Sequence, residues 1–129
     1  MWIQSRYALE FFTKYKIPFQ DMVNANSRVT NNNWCLVERS SGRVIVVYLR
    51  KGGTATINLG WLRTDGVPRT SLQMSVHWYN PRRGGELQVG TVATVKLPVD
   101  NTAQELGNAP NGSNIVDDWV VLLQCLKDC

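Results

Sequence analysis

Histidine occurs once in these 129 residues and cysteine three times, so the side chains that most often ligate metals or act as nucleophiles are scarce. His77 has no cysteine or second histidine at ligand spacing, and Cys35, Cys125 and Cys129 are scattered. Neither a metal site nor a cofactor is expected. Glu38, Glu86 and Glu105 lack the pairing of a carboxylate acid/base couple. Asp117 and Asp118 are adjacent, yet no run of further oxygen ligands surrounds them, and they read as solvated strand-end residues rather than a calcium site. No apolar run approaches the roughly 20 residues of a membrane span, so no membrane partner is expected. The opening Met1-Trp2-Ile3-Gln4-Ser5-Arg6 lacks the basic-then-apolar pattern of a signal peptide. Low-complexity tracts are missing as well.

Three cysteines leave at least one unpaired in a monomer. Cys35 and Cys125 lie in apolar stretches and read as small buried hydrophobes; a bridge between them would need neighbouring strands. The net charge of +4 is dispersed over Arg39, Arg43, Arg50, Lys51, Arg63, Arg69, Arg82 and Arg83. No basic helix or aromatic nucleic-acid motif accompanies it, so it reads as a solvated surface and no nucleic-acid partner is expected.

What the chain does have is alternation. Leu72, Met74, Val76 and Trp78 alternate with Gln73, Ser75, His77 and Tyr79, which predicts a strand with one buried face. Asn80-Pro81-Arg82-Arg83-Gly84-Gly85 breaks the pattern as a turn, and Glu86-Leu87-Gln88-Val89 resumes it. Similar strands are predicted over 34–39, 43–49, 54–59, 91–97 and 118–124. Those at 43–49 and 118–124 are apolar on both faces and read as central. Residues 60–70 and 98–116 read as loops. Residues 5–16 predict a helix, capped by Ser5 and ended by Ile17-Pro18. Its apolar residues cover more than one stripe, so it wants partners on two sides, either this domain and a missing segment or a second copy in a homodimer. An Asn-rich connector follows over 19–33. Together these elements predict a mainly β fold, an antiparallel β-sandwich of about seven to eight strands with one N-terminal helix.

Among the aromatics, Trp34, Trp78 and Trp119 read as core. Trp61, in a loop, and Tyr79, facing away from the buried series, are the candidates for stacking on a ligand. Arg82 and Arg83 could make bidentate contacts to acidic groups, or brace their own turn. His77, outward on its strand with no nucleophile placed beside it, reads as a cross-strand histidine, and no catalytic residue is assigned.

Trp34-Cys35-Leu36, Val47-Tyr48-Leu49, Gly52-Gly53-Thr54, Val76-His77-Trp78-Tyr79-Asn80-Pro81-Arg82 and Asp118-Trp119-Val120-Val121-Leu122-Leu123 follow one another in this order. Together they resemble the family called "putative collagen-binding domain of a collagenase". The resemblance implies a C-terminal β-sandwich behind a glycoside-hydrolase-like barrel in secreted bacterial proteins. Gln4–Phe12 with Ile17-Pro18-Phe19 looks like the end of that barrel. It divides the chain into 1–33, a helix and connector left from the barrel, and 34–129, the sandwich. The implied function is non-catalytic: binding an extended polymer, collagen or polysaccharide, or bracing the parent barrel, in an extracellular setting. Trp61, Tyr79, Arg82 and Arg83 would carry the binding. The alternative is a small stand-alone hydrolase or enzyme fragment.

Overall fold

Period-2 alternation becomes paired strands along most of the stretches that carry it. The computed structural model describes residues 10–15, 17, 19–26, 29, 34–39, 43–49, 56–58, 73–81, 84–96, 104–107 and 118–127. Within them run β1 Met22–Asn24, β2 Trp34–Glu38, β3 Val44–Leu49, β4 Thr56–Ile57, β5 Gln73–Tyr79, β6 Thr94–Lys96, β7 Gln104–Glu105 and β8 Trp119–Lys127. Six of these form one sheet in the order β1-β2-β3-β8-β5-β6, and β4 pairs with β7 in a second. Every pairing is antiparallel. Residues 10–14 are helical, and a 3-10 turn, Phe19–Asp21, leads into β1. The fold is mainly β with one short N-terminal helix, as the alternation implied. Among the described residues no helix is long and apolar enough to cross a membrane.

The large sheet is covered on both faces, which is why its middle strands carry apolar residues at successive positions. One face presents Cys35, Val37, Ile45, Val47, Leu49, Met74, Val76, Trp78, Trp119, Val121 and Leu123. Ile57 of the small sheet and Leu106, just after β7, pack against it, closing the sandwich core. Trp78 and Trp119 meet there edge to face, with centroids 5.9 Å apart, a geometry worth about 1 kcal/mol beyond its buried area. The opposite face presents Val46, Tyr79, Val120 and Leu122, with Leu36, Val44 and Tyr48 half-buried among them. Phe11 and Ile17 cover part of that second face. β3 lies between β2 and β8, and β8 between β3 and β5, so both strands expected to be central are central.

The hairpin after β5 closes through its turn chemistry. The Gly84 N–H donates to the Asn80 carbonyl at 2.8 Å, and Trp78 and Gln88 exchange two backbone bonds of 2.7 Å. Gly84 and Gly85 have φ of 70° and 97°, values that side chains with a Cβ adopt at a cost. The helix is tied to this hairpin: Lys14 Nζ lies 2.6 Å from Glu86 Oε1, and the Tyr15 hydroxyl donates to the Gly85 carbonyl at 3.3 Å.

Several expectations need correction. The connector carries β1, which pairs with β2 from Met22↔Glu38 to Asn24↔Leu36. Three residues suffice there because β2 already offers an open ladder. The segment expected as a loop over 98–116 contains β7, paired with β4. The strand expected at 86–89 reduces to the single Trp78↔Gln88 bridge, and the ladder along β5 resumes at β6. Cys35 is a free, buried thiol and Cys125 is disulfide-bonded. Their strands are separated by β3, so the two are not bridged to each other. The expected helix residues 5–9 and the loop over 60–70 lie outside the described residues.

Candidate functional site

The register of the large sheet sets one row of side chains across four strands. Trp34 on β2 stands opposite Tyr48 on β3, Tyr48 opposite Val120 on β8, and Val120 opposite Tyr79 on β5. All four lie on the face away from the sandwich core, because each follows or precedes a core residue by one position. The next row on the same face includes Leu36 and Val46. Over these rows lies a half-open groove of about 400 Å³, within the range of small-ligand pockets.

Its walls come from outside the rows. Phe11 and Phe12 of the helix stand over the Tyr79 end, where the rings of Phe11 and Tyr79 lie 4.8 Å apart. Pro81 of the hairpin turn lines the same end. At the other end stand Asn24 and Asn26. Asn26 Oδ1 accepts the Cys35 N–H at 2.8 Å, and the Ala25 N–H donates to the Cys35 carbonyl at 2.8 Å, so this segment is clamped to the start of β2. The Asn26 N–H donates in turn to Asn24 Oδ1 at 3.0 Å, an Asx turn. Among the described residues neither asparagine's Nδ2 donates elsewhere in these contacts.

The aromatics differ in access. Trp34 is 52% exposed, and its ring stacks on that of Tyr48 at 5.6 Å and 29°. The Tyr48 hydroxyl donates to Asp118 Oδ2 at 2.6 Å, holding the phenol in place beneath the indole. Trp34 was expected in the core; it is instead the most exposed tryptophan among the described residues. Alternation around it carried the signal, since Cys35 and Val37 point into the core and Trp34 must therefore point the other way. Tyr79 was expected to offer an open stacking face; it is only 1% exposed. It does leave the sandwich core as expected, but Phe11 and Tyr15 of the helix pack over it, so it serves as covered floor. Trp61, Arg82 and Arg83 lie outside the described residues, the two arginines directly after the groove residue Pro81 in sequence.

Among the described residues that line the groove, none carries a formal charge. Cys35 backs it from the core side, and burial pushes its thiol up to about 12, so it is no thiolate nucleophile at neutral pH. His77 is half-buried opposite Leu122, with a buried Nδ1 that has no hydrogen-bond partner. The Ser75 hydroxyl, on the same strand face, donates to the Gln124 carbonyl at 3.3 Å rather than to His77. Among the described residues no group of three or more His, Cys, Asp or Glu side chains could hold a metal ion.

A family model described as "Putative collagen-binding domain of a collagenase" matches residues 17–124. No curated protein and no solved structure matches the chain.

Proposed function

Since the chain belongs to the family described as "Putative collagen-binding domain of a collagenase", we propose that it is a non-catalytic module that holds an extended polymer, collagen first, in an extracellular setting. The observation that carries this reading is a groove, uncharged among its described lining residues, in which the exposed Trp34 stacks on Tyr48. Flat aromatic faces suit proline rings, and an apolar channel suits a chain whose side chains are mostly uncharged. Tyr79 supports the groove from below, and Trp61, Arg82 and Arg83 are proposed as its rim. A carbohydrate polymer is the competing ligand, because sugar rings also stack on indole.

The experiment is a calorimetric titration of the full chain with collagen and with a panel of neutral polysaccharides, alongside Trp34→Ala. Binding of collagen that falls at least tenfold in the variant is the expected result. Binding untouched by Trp34→Ala would remove the groove from the reading. No binding to any polymer would remove the module itself.

A second reading rests on the helix. Residues 10–14 precede the matched span, yet they dock on the hairpin and wall the groove. In that reading the helix joins the module to an upstream catalytic domain, and bracing is its role. Docking to that domain without any polymer binding would favour it.

A further inference from the structure

The groove runs across the strands rather than along them, and that direction has a length. The row Trp34–Tyr48–Val120–Tyr79 covers three interstrand spacings, about 14 Å. From Trp34 to Val120 is two spacings, about 9.6 Å. A polyproline-II chain rises about 3.1 Å per residue with three residues per turn, so residues i and i+3 present the same side about 9.3 Å apart. The two distances agree to within a few tenths of an ångström.

We infer that the groove takes a single, uncharged, proline-rich strand in the polyproline-II conformation, laid across β2, β3 and β8, in preference to an assembled triple helix. This deepens the collagen-binding reading and rests on it. One ring of the strand sits on the Trp34 indole, and the residue three positions on sits over Val120 against Phe12. The intervening backbone passes Asn24 and Asn26. Polyproline-II carbonyls have no internal hydrogen bonds, so they can accept from the side-chain amides of Asn24 and Asn26, both of which line the groove.

The size of the groove selects one strand over three. A triple helix winds three such chains about a common glycine axis, so it presents a rod much wider than one chain. Spread along a row of about 14 Å, the groove's volume of about 400 Å³ averages roughly 30 Å² in cross-section, room for one chain and not for three, with Phe11, Phe12 and Pro81 among its lining. The lining selects the composition: none of the described residues that line the groove is charged, so its floor and walls suit an uncharged strand. The asparagines and the aromatic slot suit a neutral strand of amide carbonyls and rings.

The test uses the full chain and three probes, read by calorimetry. The first is a Pro-Pro-Gly peptide of about nine residues, three turns of polyproline II and too short to trimerise. The second is a longer Pro-Pro-Gly peptide held as a folded triple helix, and the third the same peptide after thermal unfolding. The expected result is that the short and unfolded peptides bind at least tenfold tighter per site than the folded helix. Trp34→Ala and Asn26→Ala should each weaken the short peptide, with Val89→Ala, at an exposed position away from the groove, leaving it unchanged. Equal or tighter binding of the folded triple helix overturns the single-strand inference and leaves the collagen reading standing. Binding of a neutral polysaccharide, lost in Trp34→Ala, with no peptide binding overturns the inference and the collagen reading together while keeping the groove. If wild-type protein with a normal unfolding transition binds none of these probes, both fail.

Discussion

Trp34 and Trp78 are the same residue type on opposite faces of one sheet, and replacing each by alanine separates a ligand platform from a core residue. Fully burying a tryptophan removes up to about 250 Å² from water. Trp34, at 52% exposed, hides about half of that, or ~120 Å², an upper bound of ~3 kcal/mol at ~25 cal/mol per Å². The denatured chain already hides some of this area, and a rim position leaves no sealed cavity when truncated. The expected cost of Trp34→Ala is therefore about 1–2 kcal/mol, much of it the stacking on Tyr48. Trp78 is fully buried beside Trp119, and its removal leaves a cavity between the two sheets; the cost should be about 3–5 kcal/mol. Urea unfolding followed by far-UV circular dichroism measures both without relying on the deleted fluorophore, and an unchanged m-value shows that the comparison is fair. If Trp34→Ala costs as much as Trp78→Ala, the indole is a structural keystone and not a surface held ready for a ligand.

Glycine positions give a second contrast. Gly85 and Gly107 have φ of +97° and +82°, so alanine is strained at both, by about 1 kcal/mol. A Cβ at Gly85 meets nothing within 4 Å, whereas at Gly107 it would lie 2.6 Å from Thr91 Oγ1 and 2.8 Å from Val92 Cγ2. Gly107→Ala should cost about 3 kcal/mol in urea unfolding; equal losses at the two sites would contradict the packing described there. Cys35 predicts an alkaline effect. Burial raises its thiol from 9.0 to about 12, so between those values the unfolded chain has lost a proton that the folded chain keeps, and stability falls as pH rises. The contribution is intact below about pH 9 and declines toward pH 12, by up to about 4 kcal/mol at 1.36 kcal/mol per unit. Wild type should lose stability faster than Cys35→Ala across that window, and parallel curves would show that the thiol is not held protonated.

Much of the sheet was legible in the sequence because burial on one face imposes a period of two. Residues 43–49 and 118–124, apolar at successive positions, announced strands covered on both sides, and β3 and β8 occupy the centre of the large sheet. The turn at 80–85 was legible from proline and paired glycines, whose backbone preferences are local. Short strands were not. β1 and β7 have three and two residues, too few to establish a period, and they exist because a partner strand offers its unpaired backbone groups.

The two errors over aromatics have one cause. Period two assigns residues to faces, and it placed Trp78 and Tyr79 on opposite faces correctly. It does not say what covers a face. Tyr79 is buried because Phe11 and Tyr15 come from a helix more than sixty residues earlier, and no local pattern around Tyr79 records that. Trp34 lies on that same face and stays 52% exposed; its alternation with Cys35 and Val37 gives its face but not its exposure.

Composition and alternation alone therefore determined that this chain is an antiparallel β protein with a helix at its start, because those features follow from short-range backbone preference and one-sided burial. Only the tertiary structure decided where a ligand could lie. The row Trp34–Tyr48–Val120–Tyr79 is assembled from four strands by their register, and its accessible length is set by a helix laid over one end. Both are consequences of contacts between residues distant in sequence, which exist only after the chain has closed on itself.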